Sequence, residues 1–336
     1  MTDATPTASR YDVADRAPLR LSDMLLRWET ILVLLLVAVI GFNTWISPYF
    51  LDVYNLSDAT FNFSEKAIVA LAMALLIIGR DIDLSVAATI AVASLAMGEA
   101  SVAGAPTAVL VLVGLAVGAA CGAFNGALVT GFGLPSIVVT IGTMSLFRGL
   151  AQVVLGDQAI TTYPASFQAI GSYIAPKLPI PISFTTFLVL AALFGFVLHR
   201  TVIGRRIFAL GNNPVAARFS GIPVGRIRFW LFVLAGLMSG LASVFLTARI
   251  GSTRPNIAIG FELEAVTMVV LGGVSIAGGS GTILGVVLAV FVLGLTTFGL
   301  SLVNVPGIVI NVLNGLLLIG AISLPIIARR LLGKRA

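Results

Sequence analysis

The stretch His199–Trp230, HRTVIGRRIFALGNNPVAARFSGIPVGRIRFW, is the one long polar break in the second half of a largely apolar chain. It contains no aspartate or glutamate, but it carries the arginines Arg200, Arg205, Arg206, Arg218, Arg226 and Arg228. Basic loops between apolar spans stay on the cytoplasmic side of a membrane, because Lys and Arg are poorly translocated. The stretch therefore predicts a cytoplasmic loop over 200–228 between two membrane helices.

A short helix is encoded inside this loop. Asn213 is a suitable N-cap, Pro214 fits the first helical position, and Gly221 can end the helix in a left-handed conformation. A helix of about two turns has few contacts to stabilise it alone. We therefore expect this segment to dock into a partner protein.

The composition is that of a membrane protein. Of the 336 residues, 58% are hydrophobic and 10% are charged, whereas soluble domains carry roughly 25% charged residues. The formal charge of +6 does not indicate nucleic-acid binding, because the basic residues cluster in the N-terminal tail, the central loop and the C-terminus, as they do in membrane proteins. Cys121 is the single cysteine and lies in an apolar run, which excludes an intrachain disulfide and suggests no metal cluster.

Apolar runs predict an all-α polytopic membrane protein with about ten transmembrane helices. A full crossing takes about 20 residues, so the second, third and eighth runs are short or broken. The runs are Trp28–Ile46, Glu65–Ile78, Leu84–Gly98, Ala105–Val129, Leu134–Leu155, Ile182–His199, Phe229–Ala248, Leu263–Ala277, Thr282–Leu300 and Pro306–Ile327.

An even number of spans satisfies every charge cluster. With the N-terminal arginines inside, ten crossings bring the central loop and the basic C-terminus to the cytoplasmic side. The predicted organisation is a cytoplasmic tail over 1–27 with a surface helix near Leu19–Arg27, a transmembrane domain over 28–328, and a basic end over 329–336. Two halves of five spans have opposite orientations, which permits an inverted repeat, although the halves show no convincing sequence similarity.

Four polar residues fall in the turn between the second and third spans: Arg80, Asp81, Asp83 and Ser85. We expect Arg80 to pair with an aspartate, and Asp83 or Ser85 to cap the next helix near its positive end. A structural turn is favoured over contact with a ligand.

Few other polar residues stand within the spans. Arg148 lies near the outer end of the fifth span, where it either reaches lipid headgroups or faces a solute path. Asn125, Thr140 and Thr143 either line such a path or bridge neighbouring helices. Both readings are open for each of these residues.

The sequence contains no recognisable catalytic, metal-binding or phosphate-binding motif. No buried carboxylate chain suits proton coupling, and no paired acid and base, activated nucleophile or metal-ligand spacing is visible. The glycine-rich GGVSIAGGSG lacks the Gly-Lys-Ser/Thr that would hold a phosphate. Energy for uphill transport must therefore come from elsewhere.

Four separated motifs carry a resemblance to a known family. They are RDIDLSV (80–86), FNGALVTGFGLPSIVVTIGTMSLFRGLA (124–151), ALGNNPVAARFSGIPV (209–224) and RIGSTRPNIAIGFELEAVTMVVLGGVSIAGGSGT (249–282). Over roughly residues 30 to 328 the chain resembles the permease subunits of bacterial ABC importers of the ribose, xylose, arabinose and rhamnose class. Most relatives have Gly-Gly-Ile-Asp-Leu-Ser-Val-Gly at the first motif. Here Arg80 and Asp81 replace the glycines and Ala87 the last one, which looks most similar to rhamnose-type permeases.

The resemblance implies the ten-helix permease fold of the vitamin B12 importer and alternating access driven by ATP. It implies a second permease copy or paralogue, a periplasmic sugar-binding protein, surrounding lipid and a separate ATPase that holds ATP and Mg²⁺, so this chain itself binds no cofactor. The coupling helix that inserts into the ATPase then corresponds to Asn213, Pro214, Ala216, Ala217, Arg218, Ser220 and Gly221.

Three other functions are alternatives to an ABC permease, and each predicts a different feature. An ion-coupled secondary transporter of a small polar solute predicts buried ionisable coupling residues and transport by one polypeptide. A channel predicts passive flux, and a membrane enzyme predicts a catalytic site. The match at the coupling segment favours the ABC permease over all three.

Overall fold

The computed structural model describes residues 28–175 and 178–331, and these are almost entirely helical. The described residues form thirteen α-helices, one short 3-10 helix and one two-stranded antiparallel sheet. The surface helix expected near 19–27, and the basic residues Lys334 and Arg335, lie outside the described residues.

The helices follow the chain in two groups, separated by the small sheet. The first group is α1 (Trp28–Ile46), α2 (Val53–Ile78), α3 (Val86–Val102), α4 (Thr107–Gly131), α5 (Ser136–Leu155) and the one-turn α6 (Ala165–Gln168). A 3-10 helix (Ala169–Gly171) and the strands β1 (Tyr173–Ala175) and β2 (Leu178–Pro181) come next. The second group is α7 (Ile182–Arg200), α8 (Val202–Asn212), α9 (Pro214–Phe219), α10 (Val224–Ile250), α11 (Phe261–Leu271), α12 (Ile283–Leu302) and α13 (Gly307–Leu331).

Seven of the described helices are long and apolar enough to cross a membrane, namely α1, α2, α4, α5, α7, α10 and α12. The remaining predicted spans correspond to α3, α11 and α13, of which α3 has 17 residues and α11 only 11. The prediction of an all-α polytopic membrane protein with some short helices is confirmed.

The prediction of a short second span is wrong. α2 has 26 residues and begins at Val53, twelve positions before the predicted start at Glu65. Its first half carries Asn55, Ser57, Asp58 and Asn62, so a search for apolar runs does not see it. Asp52 caps the true start, because its carboxylate accepts the backbone N–H groups of Tyr54 and Asn55.

An internal repeat is visible in the packing. α10 contacts α2, α3 and α4, and α2 in turn contacts α10, α11 and α12. α3 packs on α4 and α5, just as α11 packs on α12 and α13. The units α2–α5 and α10–α13 therefore share one pattern of helix contacts, whereas α1 and α7 lie outside it. The sequence allowed a repeat of two five-span halves, but the packing pairs two four-helix units.

A stripe of glycines sets the contact between α4 and α10. A Cβ atom on Gly118 would lie 2.4 Å from the carbonyl oxygen of Gly236, and one on Gly240 would lie 2.5 Å from that of Gly114. Small residues at every fourth position let two helix backbones approach closely where lipid gives no hydrophobic drive between helices. The stripe therefore joins the two repeat units. It comprises Gly114, Gly118, Gly122 and Gly126 on α4, facing Gly236 and Gly240 on α10.

The molecule has two distinct ends. At one, which we call the α9 end, α8 and α9 lie with the connections 79–85 and 272–282. At the other, the hairpin end, residues 156–181 and the connection 251–260 meet, and the backbones of Ile160 and Thr253 pair at 3.1 and 2.8 Å. β1 and β2 pair through Tyr173 with Pro181 and Ala175 with Leu178.

Candidate functional site

The helix encoded in the basic stretch is present as α9. The side chain of Asn213 accepts the backbone N–H groups of Val215 and Ala216, each at 3.0 Å, and Pro214 occupies the first turn. Gly221 follows the helix with a φ of +80°, the left-handed conformation that glycine adopts most easily. Local chemistry alone therefore defines both ends of α9.

One face of α9 is buried in its own chain and the other is free. Ala217 is only 4% exposed and packs against Leu210 and Val224. Val215 and Phe219 lie four residues apart on the opposite face and are 64% and 89% exposed. Ala217 therefore supports the helix, while the free face has apolar side chains that the motif comparison missed. Their spacing of one helical turn is the signal that could have found them.

Basic residues surround this free face. Arg218 is exposed on α9, together with Ala216 and Ser220. The other exposed arginines of the stretch are Arg200, Arg205, Arg206 and Arg226. An exposed helix face with two apolar side chains, surrounded by arginines, would fit a groove on a partner protein that is apolar inside and acidic at its rim.

α8 anchors α9 to the rest of the molecule. A Cβ atom on Gly211 would lie 1.8 Å from the carbonyl oxygen of Ile78, the last residue of α2. That same oxygen accepts the N–H of Gly279 at 2.9 Å, and the amide of Asn212 donates to the Gly279 oxygen at 3.2 Å. The base of α9 is thus joined both to α2 and to the connection 272–282.

The turn between α2 and α3 is also tied to the second repeat unit. Arg228 donates through Nε and Nη2 to the two carboxylate oxygens of Asp81, at 2.7 and 2.6 Å. The expected pairing of Arg80 with an aspartate is not seen, because Arg80 is exposed and adopts a φ of +70°, which turns its backbone away from the helix. Asp81 is instead paired with Arg228, in the second turn of α10.

Asp83 and Ser85 form a buried polar cluster with Asn125. Asp83 accepts the N–H and the hydroxyl of Ser85 at 2.8 and 2.6 Å, and Asn125 donates to the Ser85 hydroxyl oxygen at 2.7 Å. Burial raises the pKa of Asp83, and the hydrogen bonds from Ser85 and Asn125 oppose that rise. Ser85 holds the N-cap position of α3 without a side-chain cap bond, so Asp83 fixes this helix start through the Ser85 N–H.

The residues predicted for a solute path lie in packed surroundings. Asn125, Thr140 and Thr143 are all less than 5% exposed, and Thr140 donates to the carbonyl oxygen of Ser136. None of the cavities described below is lined by these side chains.

Arg148 is half-buried and is bonded to the connection between α10 and α11. Its Nη1 donates to the carbonyl oxygens of Pro255 and Ile257, at 2.8 and 2.7 Å. The guanidinium thus holds the connection 251–260 against α5.

The expectation that ionisable residues are scarce within the spans is wrong. Glu65 in α2 is fully buried and accepts a hydrogen bond from Arg249 Nε at 2.8 Å. The neighbouring Lys66 pairs with Glu264 of α11 at 2.6 Å. Both residues were read as the beginning of an apolar run, because the polar first half of α2 concealed their position near its middle.

Two cavities meet at these ion pairs. One, of about 380 Å³, lies between α2, α11, α12 and α13. A second, of about 410 Å³, lies beside it and includes Arg249 and Arg254 in its wall. Asn62 and Lys66 contribute to both, so the two spaces adjoin along one face of α2. A third, of about 630 Å³, lies at the hairpin end between 152–159 and 254–256.

Comparison with known proteins agrees with this architecture. A family model described as the permease component of branched-chain amino acid transport systems matches residues 55–322. The autoinducer 2 import system permease protein LsrD of Yersinia enterocolitica is 37% identical over 298 residues, covering 87% of this chain and 89% of the relative. Proteins of the same name from Photorhabdus temperata and Escherichia coli K12 are 35% and 36% identical, over 88% and 87% of this chain and 90% of each relative. No solved structure gives a significant match.

The resemblance to permeases of bacterial ABC sugar importers is confirmed at the level of the family, although the relatives named here are associated with autoinducer 2 rather than rhamnose. The relatives are transport permeases, which agrees with a transport subunit rather than an enzyme. With its apolar helices, the chain is a multi-pass membrane protein. The match over residues 55–322 and the close relatives together show that this chain belongs to the family of transport-system permease components.

Proposed function

We propose that this chain is the membrane-spanning permease subunit of an ATP-driven bacterial importer, and that it carries a small sugar-like solute across the inner membrane. The single observation that carries the proposal is α9, a capped helix whose free face projects from a basic loop. The family membership supports the transport role, and the relatives' association with autoinducer 2 import makes autoinducer 2 a candidate solute beside a monosaccharide.

In this proposal α9 is the coupling helix. Val215 and Phe219 insert into an apolar groove of a separate ATPase, which holds ATP and Mg²⁺, and Arg218 contacts its acidic rim. The junction of Gly211 with Ile78 and Gly279 passes the movement of the ATPase to α2 and to the connection 272–282. The α9 end, and with it both chain termini, then faces the cytoplasm.

The proposed partners at the hairpin end and within the membrane complete the importer. A periplasmic solute-binding protein delivers the solute, and a second permease, identical or a paralogue, completes the pore. Alternating access then requires helices that now pack together to separate. Movement of α5 away from α3 would expose Thr140 and Thr143, which keeps them and Asn125 as candidates for the path.

Co-purification with the ATPase encoded beside this chain tests the coupling role. We expect Phe219→Asp and Arg218→Glu to release the ATPase, because both side chains lie on the free face of α9. Arg226→Glu is the matched control, since Arg226 is also exposed and lies in the same stretch but outside α9. Ala217→Trp is unsuitable, because it would disturb packing inside the chain.

Retention of the ATPase by both α9 variants would overturn the coupling role. The same would follow if Arg226→Glu released the ATPase as readily as Arg218→Glu, since binding would then depend on the charge of the loop and not on α9.

Uptake into proteoliposomes tests the energy source and the solute. The buried pair of Glu65 and Arg249 gives a specific reason to consider an ion-coupled secondary transporter. We expect no uptake by this chain alone under an ion gradient, and ATP-dependent uptake of a monosaccharide or autoinducer 2 by the complete importer. Ion-driven uptake without the ATPase would favour the secondary transporter. If L-leucine is the one solute taken up, the transported solute is an amino acid and the proposal of a sugar-like solute is wrong.

A further inference from the structure

The cavity between α2, α11, α12 and α13 has the lining of a small-molecule site. Its volume of about 380 Å³ lies within the range of ligand pockets. Its wall combines aromatic rings, from Phe63 and Phe298, with the amides of Asn62 and Asn314 and the hydroxyl of Thr297. Apolar walls with a few converging polar groups are typical of sites that orient a small ligand.

The charges in this wall are already matched to each other. Lys66 Nζ and Glu264 Oε2 lie 2.6 Å apart, and their side chains are 17% and 23% exposed. An ionic ligand would have to compete with this pair, whereas an uncharged ligand with hydroxyl groups can bond to the outer atoms of both residues and leave the pair intact. A lipid acyl chain would leave the polar groups of the wall without partners, which is unfavourable wherever it displaces water from them.

Buried polar groups between α3, α10 and the hairpin end are, by contrast, satisfied by one another. The hydroxyl of Ser94 meets those of Thr247 and Thr253 at 2.7 and 2.6 Å, and Tyr163 also bonds to Thr253 at 2.6 Å. In the unit with the cavity, Phe63 packs against Gly294, where a Cβ atom would lie 2.3 Å from its ring. The cavity wall therefore holds polar groups beside a space that the fold leaves open, whereas polar groups at the hairpin end are packed against one another.

We propose that this cavity is a solute-binding site inside a single permease subunit, for an uncharged polyhydroxylated solute of monosaccharide size. Phe63 and Phe298 contact the C–H face of the solute, and Lys66, Glu264 and Asn62 bond to its hydroxyl groups. This inference rests on the proposed import function and adds a site within it.

Two neighbouring threonines on α12 provide a matched test. Thr297 lines the cavity, whereas Thr296 lines a separate groove beside Phe42 and Asn43 of α1. In the complete importer, with Cys121→Ala to remove the native thiol, Thr297→Cys or Thr296→Cys is labelled by a small methanethiosulfonate reagent. The labelling rate is measured with D-ribose, L-rhamnose, autoinducer 2 or L-leucine, and ATPase retention and uptake are measured on the same preparations.

We expect a sugar or autoinducer 2 that the importer carries to slow labelling of Thr297→Cys by about tenfold at about ten times its Kd, because an occupied site is protected in proportion to 1 + [L]/Kd. Labelling of Thr296→Cys should not change. Equal slowing at both positions, no slowing at Thr297→Cys by a solute that is transported, or slowing by leucine alone would overturn the inference. If the wild-type importer takes up none of the four solutes, the proposed solute class is wrong. The inference about the cavity then falls with it.

Discussion

Single charged residues hold the α9 end of this protein together. Asp81 is 1% exposed, and both of its oxygens receive hydrogen bonds from Arg228, whose side chain is 29% exposed. A bidentate arginine–carboxylate pair is strong and directional. Without the arginine, the buried carboxylate has no water to hydrogen-bond with instead. This pair fixes the turn after α2 to the beginning of α10 and so joins the two repeat units at one end.

We predict that Arg228→Gln lowers the free energy of unfolding by about 3 kcal/mol, because it leaves the Asp81 carboxylate buried without its partner. Thermal unfolding in detergent measures the effect. Arg226→Gln, two residues earlier and exposed, should change stability by less than about 0.5 kcal/mol. The double variant Asp81→Asn with Arg228→Gln should recover part of the loss, and a double variant less stable than Arg228→Gln alone would contradict the ion-pair account.

At the scale of elements, backbone contact between α4 and α10 organises the membrane domain. Glycines on each helix face carbonyl groups on the other at distances that no side chain would permit. Close approach of this kind gains van der Waals contact along both helices, which is the main drive for association inside lipid. The stripe of four glycines on α4 is visible in the sequence, but its partner helix is not.

We predict that Gly118→Ala lowers stability by about 1–3 kcal/mol, because the new methyl group must push α4 away from Gly236. Gly142→Ala in α5 is the control, since a Cβ atom there meets nothing within 4 Å. It should be neutral, or more stable by about 0.5–1 kcal/mol from helix propensity. Equal loss in both variants would show that the loss does not come from the α4–α10 contact.

At the scale of the whole molecule, the helices that line the cavity also reach the α9 end, and α2 does so most directly. α2 ends at Ile78, whose carbonyl oxygen is bonded to Gly279 and closely faces Gly211, and it carries Lys66 of the cavity near its middle. In the proposed mechanism, we expect a displacement of α9 to reach the cavity wall through α8 and α2. Coupling requires such an element with two arrangements, each favoured by a different ligand.

We predict that alanine substitutions at two adjacent asparagines impair different steps, ATPase binding in one case and transport per ATP in the other. Asn213→Ala removes the cap of α9 and should weaken ATPase binding severalfold, since a lost cap costs about 1 kcal/mol. Asn212→Ala removes the bond to Gly279 and should leave ATPase binding unchanged while lowering solute carried per ATP, by roughly two- to fivefold for a bond of about 1 kcal/mol. Loss of ATPase binding in both variants would show that Asn212 supports α9 and does not transmit its movement.

The sequence by itself determined the features that depend on neighbouring residues. Apolar runs placed most of the membrane helices within a few residues, and Asn213, Pro214 and Gly221 defined α9 by local hydrogen bonding and backbone preference. It missed the first half of α2, because Asp52 and the polar residues after it do not look like a membrane helix.

Only the tertiary structure decided which distant residues meet. Glu65 pairs with Arg249, 184 residues away in the sequence, and Lys66 pairs with Glu264, 198 residues away. Both pairs depend on how α2, α10 and α11 pack. The repeat of α2–α5 and α10–α13 likewise appears in helix contacts and not in residue identities. The physical reason is that helix formation and membrane insertion are local, whereas cavities and ion pairs arise from shape complementarity between helices that lie far apart along the chain.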